Sequence, residues 1–207
     1  MHRTLLGPKT LTTAALVASL SGCAGPQLDA QWRNVELPVN YLRGATVLVS
    51  CEASDTVVKQ ICEDRVVADL QARGAIPILP APAIMAARRP DGATDVKYLS
   101  AARDRGAKAI FGVTMGPGTR SVSPGVSLGL GLGGFGRNIG GGVGVSAPIG
   151  GGQVTQGYAA HGRVTDVASG RLMWTARANA PPSSDVNAQL AELSKSVVDA
   201  AAGAGLF

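Results

Sequence analysis

A change of hydrophobic period between residues 45 and 70 constrains the fold of this chain more than any other feature. Ala45–Val49 is a nearly continuous apolar, β-branched run, which is typical of a strand covered on both faces. After it, apolar residues recur at three- and four-residue intervals, at Val58, Ile61, Cys62, Val66 and Leu70. Ser54 or Asp55 would cap this helix and Gly74 would end it. A buried strand followed by an amphipathic helix predicts a β-α-β unit with parallel pairing.

The next segments continue the unit. A short strand at 75–79 contains Pro77, which favours an edge position because proline cannot donate to the ladder. A second helix, opened by Thr94 or Asp95, leads to a third strand that begins at 109–113.

The last third of the chain predicts a β-hairpin and a helix. Val154–Val167 and Arg171–Ala178 flank an Ala-Ser-Gly turn, and Ser184 or Asp185 caps the final helix. We therefore expect an α/β (α+β) domain with a mixed five-stranded sheet. Its predicted order is β-α-β-α-β-(Gly-rich hairpin insert)-β-β-α.

The insert, residues 116–153, is unusually rich in glycine. Gly116–Gly152 contains 15 of the 28 glycines of the chain. Two arms of about 11 residues alternate with period two around a turn-rich tip, which predicts a β-hairpin. The apolar side chains that we assign to a membrane- or partner-contacting arm are Val126, Leu128, Leu130, Leu132, Phe135, Ile139, Val143 and Val145.

Three interpretations of this hairpin remain open. It could lie with its apolar face on its own sheet, act as a partner-binding arm, or insert residues 120–153 into a membrane as part of an oligomeric barrel. Arm length supports insertion, because a spanning strand needs about 9–11 alternating residues. Against insertion, Phe135 is the one aromatic residue available for an interfacial girdle, and Pro124 weakens one arm.

The first 22 residues have the layout of a secretory signal. Arg3 and Lys9 form a basic start, and the apolar stretch Leu11–Leu20 is too short for a bilayer, which needs about 20 residues. Leu20-Ser21-Gly22-Cys23 resembles the lipobox of bacterial lipoproteins. That resemblance implies that Cys23 receives a diacylglycerol and becomes the first residue of the mature protein.

These features predict three regions. They are a lipoprotein signal peptide (1–22), a lipidated tether (23–43) and a periplasmic α/β domain (44–207). Ala24 after the cysteine resembles the pattern for sorting to the outer membrane, so we expect an outer-membrane-anchored, periplasm-facing protein.

Two segments carry a wider resemblance. Residues 102–112 are similar to the helix-to-strand step of the Tol translocation protein's amino-terminal domain and of the curli-secretion lipoprotein. Residues 164–174 resemble the strand, Asp, Ser-Gly turn, strand hairpin of the same domains. The pattern is also similar to that of uncharacterised bacterial outer-membrane lipoproteins with a Gly-rich hairpin insert. These motifs imply a fold and a compartment, and none of them is catalytic.

Lipidation of Cys23 would leave Cys51 and Cys62 as an even pair. In an oxidising envelope compartment such a pair tends to form a disulfide. Two buried thiols remain an alternative. A metal site would need two more ligands, and His161 is the one histidine after cleavage.

Several functional classes find little support in the sequence. Removal of Arg3 and Lys9 leaves 17 basic against 14 acidic side chains, with neither a basic stripe nor stacking aromatics, so no nucleic-acid partner is expected. The G-x-G-x-x-G matches at 129–134 and 131–136 are not followed by an amphipathic helix, so no nucleotide cofactor is expected either.

Individual polar residues have structural interpretations. His161 has no nucleophile motif beside it, which favours a surface or hydrogen-bonded strand histidine. Asp166 precedes the hairpin turn, where its carboxylate can accept from backbone amides. Glu63 and Asp64 are expected on a solvated helix face, and Trp174 is expected in the core.

The sequence therefore predicts a non-catalytic binding or assembly module of the cell envelope. Its partner would be an envelope protein or further copies of itself, besides the membrane reached by the lipid. The alternative is an oligomeric secretion or pore component that inserts the 120–153 hairpin.

Overall fold

The computed structural model describes residues 25–81, 96–122, 127–129, 146–148 and 154–207. Within these residues the strands and helices are, in chain order, β1 (Gln27–Arg33), β2 (Thr46–Glu52), α1 (Thr56–Ala72), β3 (Ile76–Ile78), α2 (Val96–Asp104), β4 (Ala109–Val122), β5 (Ser127–Gly129), β6 (Ser146–Pro148), β7 (Val154–Asp166), β8 (Leu172–Asn179) and α3 (Val186–Gly203).

The main sheet is mixed and has six described strands in the order β1-β8-β7-β4-β2-β3. Strand β2 lies parallel to β3 and to β4, whereas β4–β7, β7–β8 and β1–β8 are antiparallel pairs. The parallel half comes from the two crossovers through α1 and α2. In the antiparallel half, a short turn joins β7 to β8, whereas β1 and β8 lie far apart along the chain. The predicted α/β class and mixed sheet are therefore confirmed.

The turn chemistry explains where the helices begin and end. The Asp55 carboxylate accepts hydrogen bonds from the amides of Val57 and Val58, so it caps α1. Gly74, with φ +83°, follows that helix in the left-handed region that glycine adopts without strain. Asp185 caps α3 in the same way, by accepting from the amide of Ala188.

Two layers of helices cover the sheet unequally. Helices α1 and α3 pack on one face over a core that includes Val49, Phe111 and Trp174, all at most 1% exposed. Leu48 and Ile110 point to the opposite face, where α2 covers them with Tyr98. The predicted core position of Trp174 is confirmed, since its side chain is completely buried.

Strand β7 passes very close to α3. A Cβ atom at Gly162 would collide with Cγ1 of Val197 and would lie 3.2 Å from the Trp174 ring. Only glycine therefore allows α3 to sit this near the centre of the sheet.

The sixth strand is the main departure from the sequence-based prediction. Gln27–Arg33 lies within the predicted tether, yet it forms the edge strand β1 by pairing with β8. Six of its seven side chains are exposed and the seventh is half-buried, so its sequence shows no apolar alternation. The segment becomes a strand because it pairs with the edge of β8 that β7 leaves free. At the other edge, Pro77 lies in β3 as predicted.

The third predicted strand is also longer than its apolar start suggested. Strand β4 continues past Gly116 to Val122, and Val122 pairs with Val154. Beyond this ladder, the described parts of the insert, β5 and β6, pair antiparallel. Leu128 lies on β5, whereas the other seven arm residues lie outside the described part of the chain: Val126, Leu130, Leu132, Phe135, Ile139, Val143 and Val145. Cys23, the signal segment, Thr94 and Asp95 also lie outside it.

One helix position was wrongly assigned. Glu63 is only 5% exposed, although Asp64 beside it is exposed as expected. Burial raises the pKa of the Glu63 carboxyl, and the Lys59 ammonium, 3.8 Å from Oε1, opposes this shift. The sequence pattern missed this position because charged residues rarely face a core.

A disulfide joins Cys51 at the end of β2 to Cys62 in α1, with a Cα–Cα distance of 6.0 Å. Both cysteines are at most 1% exposed. The bond closes a short loop that contains the β2–α1 turn and the first part of the helix. It therefore fixes α1 against the strand that begins the β-α-β unit.

Replacement of both cysteines by alanine should lower the free energy of unfolding by roughly 3 kcal/mol, the value expected for so short a loop in the chain-entropy model. Urea unfolding with and without dithiothreitol measures the effect. Wild-type protein should lose a similar amount on reduction, while the double variant should not respond to the reductant. Equal sensitivity of both proteins to dithiothreitol would contradict this assignment.

Candidate functional site

On one face of the sheet, no helix among the residues that the structure describes lies over β7, β8 and β1. Helix α2 covers the region around Leu48 and Ile110. On the same face, β7 and β8 present alternating polar side chains, and β1 presents Ala30 and Trp32. We call this area the uncovered face. It is defined by Trp32, Thr114, His161, Arg163, Thr175 and Arg177, with Ala30 and Ala159 between them.

The strand register arranges these residues in two rows. In the first row Thr114 lies opposite His161, His161 opposite Arg177, and Arg177 opposite Ala30. In the second row Arg163 lies opposite Thr175, and Thr175 opposite Trp32. Large basic and aromatic side chains therefore stand beside small ones.

A groove of about 530 Å³ lies along these rows. Its lining includes Trp32, Thr114, Ala159, His161 and Arg177. The Trp32 side chain is 48% exposed, which is unusual for an indole on a sheet face. The groove thus combines an aromatic surface with cationic and hydroxyl groups.

Hydrogen bonds fix the polar groups at the centre of the groove. The Thr175 hydroxyl lies 3.0 Å from the Gly162 carbonyl, to which it can donate, and 2.7 Å from His161 Nε2, with which it shares a hydrogen bond. The prediction of a hydrogen-bonded strand histidine at His161 is confirmed.

Charge on this face is unevenly compensated. Glu52, at the β2 side of the first row, binds Lys97 at 2.6 Å. Asp29, at the β1 bulge, accepts from the Asn179 amide. The Arg177 guanidinium is exposed and forms no ion pair with any residue that the structure describes.

A second cavity, of about 160 Å³, lies at the carboxyl end of β2 and beside residues 115–117 in the middle of β4. In α/β sheets the carboxyl ends of parallel strands commonly border ligand sites. Here Asp55 lines the cavity, and its carboxylate already accepts from the first amides of α1. The cavity is also smaller than the roughly 300 Å³ of typical ligand pockets. The uncovered face is therefore the stronger candidate.

A polar cluster at the opposite end of the sheet has a structural role. Tyr41 Oη donates to Asp166 Oδ1 at 2.5 Å, and the Ser169 amide and hydroxyl donate to Oδ2 at 2.8 and 2.6 Å. Lys108 Nζ donates to the Tyr41 carbonyl at 2.7 Å and lies 4.2 Å from the ring centroid. The cluster joins the β1–β2 connection to the β7–β8 turn.

The cluster shifts the pKa of two groups. Burial, together with the hydrogen bond to Asp166, raises the pKa of Tyr41 well above its usual range. Partial burial of Asp166 acts to raise its pKa, but hydrogen bonds from Ser169 and Tyr41 outweigh it, and the pKa is lowered. The prediction that Asp166 accepts from a turn amide is confirmed.

No metal-binding arrangement is visible in the described ranges, where no three His, Cys, Asp or Glu side chains come together to hold an ion. Among the same residues, no helix combines the length and apolarity needed to cross a bilayer.

The sequence reasoning did not find the uncovered face. It treated His161 singly and assigned Trp32 to the tether. The available signal was the polar alternation of His161 and Arg163 on β7 with Thr175 and Arg177 on β8. Such alternation indicates a sheet face without a covering layer.

Comparison with known proteins adds a fold relationship. No protein-family model and no curated protein matches the chain. A variant of the PelC dodecamer from Paraburkholderia phytofirmans aligns with TM-score 0.50 and 12% identity, over 88% of this chain and 99% of that one. A second PelC dodecamer structure from that organism gives TM-score 0.48 and 13% identity, over 84% and 91%.

Lipoprotein GNA1162 from Neisseria meningitidis gives TM-score 0.43 and 16% identity, over 77% of this chain and 99% of that one. At these identities, the first of the three similarities shows a shared fold and nothing of the activity.

Replacement of Asp166 by asparagine should lower the free energy of unfolding at pH 7 by about 1–2 kcal/mol, because charge-assisted hydrogen bonds from Ser169 and Tyr41 are weakened. Since the folded-state pKa is lowered, the contribution of this carboxylate is present above its ordinary value near 3.9 and is lost as the pH falls through the folded value. The difference between the two proteins should therefore shrink on acidification.

Urea unfolding of wild type and Asp166→Asn at pH 7, 4 and 3 tests this expectation. Asp104→Asn, at the exposed end of α2, is the matched control and should leave stability unchanged. A constant difference at all three pH values would contradict the role of the charge.

Proposed function

We propose that this chain is a lipoprotein anchored through Cys23 to the outer membrane, and that its periplasmic domain is a non-catalytic assembly module that works as a ring of identical subunits. The observation that carries the proposal is the fold similarity to a PelC dodecamer over 88% of this chain and 99% of that one. A closed ring of many subunits needs two different surfaces on each subunit, which are complementary to each other. A single compact domain on a lipid anchor can supply such a pair.

The groove chemistry supports binding rather than catalysis. The Thr175 hydroxyl lies 3.0 Å from the Gly162 carbonyl and 2.7 Å from His161 Nε2, so a backbone acceptor competes with the imidazole for its proton. A nucleophile would have to give that proton to its base, so this arrangement does not favour Thr175 as an activated nucleophile.

The native mass of the full-length, lipidated protein in mild detergent tests the ring. We expect a closed assembly of many subunits, with one stoichiometry over a wide concentration range. Multi-angle light scattering and native mass spectrometry give the mass independently. A monomer at all concentrations would contradict the proposal, as would an unmodified Cys23 in protein extracted from the membrane.

A second role is favoured by the direction of the strands. Gln27 lies only four residues after Cys23, so a lipid on Cys23 keeps this end of β1 within about 14 Å of the anchor. Gln27 pairs with Asn179, which pairs with Ala159, so these three residues lie side by side across the sheet. From there β4 and β7 continue as a paired ladder to Val122 and Val154. The glycine-rich insert thus leaves the sheet at the anchored end. We propose that its apolar residues contact the lipid.

A site-specific fluorophore tests this contact. With Cys23 lipidated and Cys51 bonded to Cys62, a Phe135→Cys variant has one free thiol for an environment-sensitive dye. In proteoliposomes its emission should shift to the blue and be quenched by spin-labelled lipids.

Val35→Cys is the matched control, because Val35 is 95% exposed and follows the other end of β1. A dye at position 35 should keep the emission of a water-exposed fluorophore and should not be quenched by spin-labelled lipids. If the dye at position 135 also reports water, the insert does not contact lipid, and the partner-arm interpretation takes its place.

A further inference from the structure

We propose that the uncovered face binds an extended acidic segment of a partner protein, which lies along the outer edge of β1 and directs a carboxylate at Arg177. The inference rests on the proposed function and deepens it by stating the chemistry of the partner. An open strand edge, an accessible cation and an exposed indole lie together at this face.

The strand edge is available along β1. In the part of the chain that the structure describes, β1 ends the sheet and pairs with β8 alone. Its outer N–H and C=O groups can therefore pair with an added strand, which is a common way for sheets to bind peptides. Such a strand would place every second side chain over the uncovered face.

The cation is within reach of that added strand. Arg177 lies directly opposite Ala30 on β1, and the Ala30 methyl group leaves space between the edge and the guanidinium. Both residues are exposed. A carboxylate placed beside Ala30 could accept a charge-assisted hydrogen bond from Arg177.

Charge complementarity selects an acidic occupant. The two carboxylates that flank the groove already have partners, since Glu52 binds Lys97 and Asp29 accepts from Asn179. Arg177 has no carboxylate partner among the described residues. An incoming anion would therefore meet an uncompensated cation.

The indole supplies the apolar part of the surface. Trp32 is 48% exposed and lies two residues after Ala30, on the same face of β1. Tryptophan and arginine are the residue types that most often dominate the binding energy of protein interfaces. The geometry therefore favours a partner segment with an acidic residue and, two positions away, an apolar one.

The two tryptophans make the binding measurable without a label. Trp174 is completely buried, whereas Trp32 is half exposed, so acrylamide should quench Trp32 selectively. The probe is a synthetic 11-residue peptide in which Glu and Val alternate on one face and Thr occupies the other. A peptide with Lys in place of Glu is the control. Both are added to the full-length protein in detergent.

We expect the Glu peptide, and not the Lys peptide, to protect Trp32, with weaker protection at high salt. Arg177→Glu should weaken binding of the Glu peptide about tenfold or more and confer binding of the Lys peptide. Arg65→Glu is the matched control, because Arg65 is exposed on α1 in the helical layer. This variant should bind the Glu peptide and the Lys peptide as the wild type does. Trp32→Phe should remove the signal.

Equal protection by both peptides, or no effect of Arg177→Glu, would overturn the proposal. Protection of Trp32 that rises with protein concentration in the absence of peptide would also overturn it, because a second copy would then occupy the face. The native mass of the same samples reports the ring separately. If the protein forms a ring but does not bind the Glu peptide, the acidic partner is rejected and the proposed ring is retained.

Discussion

The packing of α1 and α3 on the same face of the sheet is the contact on which the rest of the structure depends. It buries Phe111 and Trp174 and requires glycine at position 162, where α3 approaches β7. With both long helices on one side, the nine-residue α2 is the helix that the structure describes on the opposite side. It covers the parallel strands, so no described helix lies over the antiparallel half of that face. The candidate site is thus a consequence of how the core is built.

Polar groups at the two ends of the sheet have different roles. Asp166 is surrounded by donors from Tyr41 and Ser169, and the resulting cluster stabilises the turn. At the groove, Arg177 is exposed without a carboxylate partner among the described residues. Groups that serve the fold are generally satisfied within it, whereas groups that serve recognition keep bonding capacity for a partner. This difference distinguishes the two clusters.

Chain direction links the anchor to the insert. Strand β1 begins next to the proposed lipid and runs antiparallel to β8, so its first residue meets the last residue of β8. Ala159 pairs with that last residue of β8, and the β4–β7 ladder continues past Ala159 toward the insert. A reversed β1 would have put the anchor and the glycine-rich insert at opposite ends. The pairing direction therefore bears on whether the insert can reach a membrane.

The sequence by itself determined the elements with strong local signals. These are the β-α-β unit, the Asp55 and Asp185 caps, the turn at Gly170 and the buried Trp174, because periodicity and capping chemistry act within a few residues. Tertiary structure alone decided that Gln27–Arg33 is a strand, that Glu63 is buried, and that Arg177, His161 and Trp32 share one face. Each of these depends on partners distant along the chain: an unpaired edge, a packed helix and a register across three strands. No local pattern of residues records such pairings.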